Sequence, residues 1–226
     1  MVRTHSELSR QSRWGWLQHS GMLALLLLLG GTVFIAPALV SYGITFRLLS
    51  DVMLTLILAS GILAVAAHRK HAVVLAAVSV IVVAVRWTEW IVPIGMLVVL
   101  REVSTLSALL VLASAVGINV FARGPVLADR TVGSIVLYLL IGLVWAIIYA
   151  MVDTFLQAAF AGAGGTHGDP TVWVYFSLVT LTTLRYGDIT PVARVARSLA
   201  TLDALIGQLY PAIIIARLVS LQLTPK

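Results

Sequence analysis

The chain has 226 residues, 60% of them hydrophobic and 11% charged, with a mean hydropathy of +1.04. A water-soluble fold needs more polar surface than this, so most of the chain must face lipid or other protein, and the lipid bilayer is its first partner. There is no cysteine, which excludes disulfides and thiolate metal sites; the net charge of +6 sits at the ends of apolar runs, where it marks membrane topology and gives no nucleic-acid signal.

Residues 1–20 are polar and are expected to be a cytoplasmic N-terminus. Arg3, Arg10 and Arg13 precede the apolar run Gly21–Ala36, and Ala36-Pro37-Ala38 has the form of a signal-peptidase site. The run exceeds the 7–15 residues of a usual signal core, so it is read as a retained first span, about Gly21–Val40, with cleavage as the alternative. The second span is about Val52–Ala67, ending at His68-Arg69-Lys70-His71, and the third runs from Ala72 to Val85 or a little beyond. Ile91–Leu100 is apolar but short, contains Pro93 and runs into Arg101-Glu102; it extends a neighbouring helix or lies at the interface. The fourth span covers about Val103–Phe121, so residues 21–121 form a four-helix region. Gly124-Pro125 breaks the loop Ala122–Arg130, and a fifth span covers Val132–Val152. The sixth, about Ser198–Leu221, is long enough at ~1.5 Å per residue to cross a bilayer.

Six spans put both termini, the His68–His71 loop and the Ala122–Arg130 loop on one side. That side holds nine Lys and Arg, among them Arg3, Arg69, Lys70, Arg123 and Arg130, and the cation bias makes it cytoplasmic in a multi-pass cell-membrane protein.

Asp153–Arg197 separates spans five and six. Ala161-Gly162-Ala163-Gly164-Gly165 reads as a flexible turret. Asp169 or Thr171 can cap a helix, with Pro170 suited to its first turn, and Thr171–Leu181 is then a helix too short to cross the membrane. It is expected to be re-entrant, its negative C-terminal end favouring a cation in a central cavity.

The stretch YFSLVTLTTLRYGDITP, residues 175–191, resembles the pore loop of potassium channels, whose core signature is Thr-Val/Leu-Gly-Tyr-Gly-Asp; here it reads Thr183-Leu184-Arg185-Tyr186-Gly187-Asp188. Residues 203–212, DALIGQLYPA, look like the inner helix of bacterial two-transmembrane-type pores, and the resemblance covers about residues 131–222. It implies an all-α, six-span membrane protein with a re-entrant helix and filter loop between helices five and six, assembled with three further copies into a homotetrameric pore, or with related pore subunits in a mixed one. It implies potassium as the permeant ion, no cofactor and no enzymatic activity. The filter is Thr182, Thr183, Leu184, Arg185, Tyr186, Gly187 and Asp188, with backbone potassium sites at Thr183, Leu184 and Tyr186. Leu184 is expected to pack behind the filter and Tyr186 to brace it against the pore helix. Gly187 supplies a left-handed backbone, and Asp188 bonds backward to the surrounding cuff. Gly207 falls at the family's hinge, Gln208 faces the cavity and Pro211 kinks the inner helix.

Arg185 departs from that pattern, standing where the family has a glycine of positive φ. Three readings follow. Its side chain turns away from the axis and pairs with Asp188 or Asp203, so that conduction survives; or the filter refolds into a non-conducting, altered-selectivity or regulatory homologue; or the arginine is a sporadic or engineered substitution.

Asp203, an acid inside the sixth span, is read as filter support or an Arg185 partner, with Arg197 as the plain alternative. The fourth span lacks arginines at every third position, so a scaffold around the pore is favoured over a voltage sensor. His68 and His71, spaced i, i+3, could bind a metal or sense pH, but they sit beside Arg69-Lys70, so a solvated cytoplasmic loop is favoured. Trp14, Trp16, Trp87 and Trp90 are interfacial anchors, and Ser114, Gly117 and Asn119 serve helix packing.

Overall fold

A computed structural model of the chain describes residues 20–41, 46–65, 69–88, 95–122, 128–156, 158–162 and 169–223. Trp14, Trp16, Trp90, His68, the Gly124-Pro125 breaker and turret residues 163–165 lie outside them. The described residues form seven helices and one very short ladder. α1 spans 20–41 and includes a π-turn at Gly31–Ile35; α2 is Phe46–Val65, α3 Arg69–Thr88, α4 Gly95–Phe121 and α5 Ala128–Phe155. β1 (Phe160–Ala161), α6 (Pro170–Leu181), β2 (Thr190–Pro191) and α7 (Arg194–Leu223) follow.

Among the described residues four stretches are long and apolar enough to cross a membrane: Leu48–Val65, Val99–Phe121, Arg130–Phe155 and Arg194–Arg217. Ser20–Ile35 and Ala72–Thr88, read as spans one and three, are shorter apolar helices. Residues 95–100 continue into α4 through Arg101 and Glu102, so the fourth helix starts well before Val103 and reaches about 40 Å at 1.5 Å per residue.

The chain divides into two compact units, with the boundary inside α5. In the first, α2, α3 and α4 pack on one another, and α1 lies against α2. Their inner faces carry Leu25, Leu29, Ile57, Leu58, Leu75 and Leu112, all buried, while Leu27, Phe34, Val80 and Ile81 are exposed. Helices that are apolar on both faces are what a lipid solvent selects. Gly21 permits a close crossing, since a Cβ there would press on the Ala64 backbone nitrogen, and the tip of the Leu112 side chain packs over Gly61. Arg86 Nη1 donates to Asp51 Oδ1 at 2.7 Å, pinning the end of α3 to the start of α2 where both side chains are largely shielded.

The second unit holds the rest of α5, the ladder, α6 and α7. Its core is aromatic: Trp145, Tyr149, Phe160, Trp173 and Phe176 pack together, Tyr149 meeting Phe176 with ring centroids 4.8 Å apart. Phe160 pairs with Pro191 and Ala161 with Thr190 in an antiparallel register. Ala161 is therefore part of a ladder, where the sequence suggested a flexible turret; the two-residue strands are too short to carry an alternating hydrophobic signal.

Candidate functional site: the loop between α5 and α7

The short helix α6 is specified at both ends. Asp169 is the N-cap, with extended backbone angles and Oδ1 accepting from the Thr171 N–H at 2.9 Å and the Thr171 hydroxyl at 2.7 Å; Pro170 fills the first turn. One face is anchored to the aromatic core by Trp173 and Phe176. The buried Ser177 hydroxyl donates to the Gly142 carbonyl of α5 at 2.7 Å. A Cβ at Gly142 would press on the tip of the Leu178 side chain, so α6 packs closely over that position.

The C-terminal end of α6 closes in a Schellman motif. The Thr183 N–H bonds the Thr180 carbonyl and the Leu184 N–H bonds the Val179 carbonyl, each at 3.0 Å, with Thr183 left-handed at φ 60°. The Thr182 N–H and hydroxyl both donate to the Leu178 carbonyl. Tyr138 of α5 donates its hydroxyl to the Leu181 carbonyl at 3.3 Å. The helix thus ends where Thr182-Thr183 suggested, and the loop's first two amides are tied back to it.

Beyond this cap φ alternates in sign. Thr183 (60°), Arg185 (52°) and Gly187 (83°) are positive, while Leu184, Tyr186 and Asp188 are not. The expected left-handed conformation at 187 is present, and the glycine-type conformation at 185 is adopted by an arginine. Left-handed backbone costs an L-residue about 1–2 kcal/mol, at Thr183 as well as at Arg185. The positive φ of Thr183 follows from its place after a helix end, a rule that sequence inspection passed over.

After the loop the chain is pinned again. Val192 and Ala193 both donate to the Ala159 carbonyl, at 2.8 and 3.1 Å, beside the β1–β2 pairing. Gly162, at φ 85°, lies so close to the Asp188 carbonyl that a side chain could not fit. The Asp188 carboxylate faces the Tyr175 hydroxyl, and Tyr186 stacks on Tyr175 with centroids 6.3 Å apart and planes 5° from parallel. Asp188 and Tyr186 thus both lean on α6. Leu184, expected behind the filter, is instead 60% exposed in the single chain, and Arg185 is exposed as well.

Asp203 pairs with neither of the arginines named for it from the sequence. It is fully buried, and its Oδ2 accepts the Tyr149 hydroxyl of α5 at 2.9 Å; Oδ1 has no partner among the described residues. It meets neither Arg185, which is exposed, nor Arg197, whose Nε donates to the Pro191 carbonyl. A buried carboxylate takes the nearest buried donor, and that donor sits on α5. Tyr149 was legible only as a hydroxyl in an apolar span opposite a lone acid.

Gly207 is buried where α7 crosses the end of α6; a Cβ there would collide with the Leu181 carbonyl oxygen and backbone. Pro211, inside α7, has no N–H to return to the carbonyl four residues back, which is that of Gly207. Gln208 is exposed, as are Leu205 and Leu209 beside it. Tyr210 stacks on Tyr138, with centroids 5.7 Å apart.

Two apolar helices therefore flank a short, capped, apolar helix, followed by a loop of alternating handedness. Residues 133–222 match the family described as ion channel. This segment is an ion-channel domain. The loop that resembles a potassium-channel pore lies within those residues, and the long apolar helices on either side of it are those of a membrane protein. No curated protein and no solved structure matches the chain.

Proposed function

We propose that four copies of the chain surround a common axis and pass potassium ions down their gradient. The ion-channel domain of residues 131–222 supplies the pore, and six membrane crossings leave both termini in the cytoplasm. The observation that carries this reading is the alternation of φ at residues 183, 185 and 187. In a β-strand successive carbonyls point to opposite sides; residues of alternating hand turn their peptide dipoles the same way, N–H groups to one side and carbonyls to the other. One strand with its carbonyls aligned, repeated around a fourfold axis, replaces the water of a dehydrated cation, with backbone sites at Thr183, Leu184 and Tyr186. The exposed face of α7, with Gln208 and the Gly207–Pro211 break, then lines the cavity below. Asp203 serves the pore indirectly, by holding α7 to α5 through Tyr149.

A second reading is favoured by Arg185. At ~5 Å and an effective dielectric of ~20, one guanidinium repels a potassium ion by about 3 kcal/mol, and four such terms abolish conduction unless they are neutralised. In that case the chain is a non-conducting or regulatory member of the ion-channel family. Potassium flux into liposomes, compared between the native chain and Arg185→Gly, separates the two. Valinomycin-independent flux from the native chain supports the first. Flux from the glycine form alone establishes the second.

A further inference from the structure

We propose that, in the assembled pore, the Arg185 guanidinium is neutralised by the partner subunit's Asp188, so that each filter charge pair is built by two neighbouring copies. The inference rests on the four-copy pore proposed above. Arg185 is exposed and forms no ion pair among the described residues. Of the two acids that could answer it, Asp203 is sealed inside and committed to Tyr149. Asp188 is exposed three residues further along, and Tyr175 approaches its carboxylate from α6. A carboxylate offers about four lone-pair sites, so one hydroxyl leaves room for a guanidinium. Arg197, the other nearby arginine whose contacts are defined, is turned to the Pro191 carbonyl.

Each copy thus brings one unanswered cation and one incompletely used anion to the same short loop, and the two do not meet within a chain. A head-to-tail contact in which each Arg185 takes the next copy's Asp188 closes on itself around a rotation axis. Four cations and four anions then form an uncharged girdle. The guanidinium is drawn sideways into the subunit boundary and away from the ion path, leaving the carbonyls to face it. The bidentate fork of arginine fits a carboxylate better than a lysine would.

The chain contains no cysteine, so introduced thiols report on their own pairing. The full-length Arg185→Cys/Asp188→Cys double variant, reconstituted in lipid and mildly oxidised, should run on a non-reducing gel as covalent dimers, trimers and tetramers that reductant collapses. Each single variant should stop at dimers. A double variant that gives only reducible monomer, or a ladder no longer than the singles, overturns the pairing. As a second measure, Arg185→Gln and Asp188→Asn should each shorten the lifetime of the detergent-solubilised tetramer by about tenfold, and the double variant by no more than either alone. Effects that simply multiply overturn the pairing. Native mass measurement of the unmodified chain separates the two levels: a monomer removes the four-copy pore and this inference with it, whereas a tetramer without the ladder removes the pairing alone.

Discussion

Replacing Gly207 by alanine tests whether α6 is held against α7 by backbone contact. In an ordinary exposed helix this change stabilises, because alanine exceeds glycine in helix propensity by about 1 kcal/mol. Here the new Cβ would meet the carbonyl oxygen, carbonyl carbon and Cα of Leu181, all main-chain atoms that cannot rotate away. Relief requires the helices to separate, and overpacking of this kind costs about 1–3 kcal/mol. The upper end applies where no side chain can yield, so the net effect is a loss of about 2 kcal/mol per chain. At the scaling of domains near this size that is a fall in Tm of about 5 °C. The control is Gly30→Ala: Gly30 lies in α1 with nothing within 4 Å of its would-be Cβ, and should gain up to about 1 kcal/mol. Thermal unfolding in detergent, followed by helical circular dichroism, reads both. A Gly207→Ala variant as stable as Gly30→Ala would refute the contact and with it the seating of α6.

Further outcomes follow from single interactions. Tyr149→Phe leaves the Asp203 carboxylate buried with neither oxygen bonded and should cost about 1–3 kcal/mol, whereas Asp203→Asn, whose amide oxygen still accepts from Tyr149, should cost less; chemical unfolding of the two variants ranks them. Asp169→Ala removes the cap of α6 and should cost about 1 kcal/mol, with amide exchange rising first at residues 171 and 172. Arg86→Met removes the charged hydrogen bond to the shielded Asp51 carboxylate and should destabilise the chain by about 1.5–3 kcal/mol, and adding Asp51→Leu should cost less than the two single changes summed on the same unfolding curve. In the dissociated single chain, where no partner Asp188 is present, Arg185→Gly relieves about 1–2 kcal/mol of left-handed strain and gives back about 0.5–1 kcal/mol in chain entropy, so the monomer's Tm should rise slightly; a clear fall there would mean that the arginine holds the loop within its own chain.

The parts of this molecule legible in the sequence are those written in local chemistry. Asp169-Pro170 announces the start of α6, the apolar runs announce the long helices, and Gly187 announces its own backbone. Residues 175–188 carry enough family pattern to place the loop. What sequence inspection missed depends on partners far along the chain. Tyr149 and Asp203 are 54 positions apart, and nothing in either neighbourhood says that they meet. The β1–β2 ladder is two residues long and joins segments on either side of α6, so period-two alternation had nothing to act on. The extent of α4 stayed open because the apolar residues before Arg101-Glu102 were read as extending a neighbouring helix or lying at the interface; residues 95–100 extend α4, and the two charges, side by side, pair at 2.8 Å while the helix runs through them. Thr183 was legible in principle, since the residue after a helix end is commonly left-handed, but a threonine there runs against side-chain preference.

The support given to the loop is uneven along its length, and that distribution bears on its chemistry. At residues 182–184 the amides are bonded into α6; at residues 190–193 the chain is bonded to β1 and Ala159. Between them Leu184, Arg185, Tyr186, Gly187 and Asp188 are exposed, and the described contacts that steady them are those of Tyr175 with Tyr186 and Asp188 and of Gly162 with the Asp188 carbonyl. Two of the three left-handed residues are not glycine, so the strand carries a strain of about 2–4 kcal/mol that neither anchor removes. A strained backbone persists where its surroundings over-determine it. Within one chain that condition is met at the two ends and lacking in the middle, where large apolar and charged side chains stand open together. In the four-copy pore proposed above, neighbouring copies would supply that constraint, and the conformation of the loop would then depend on assembly.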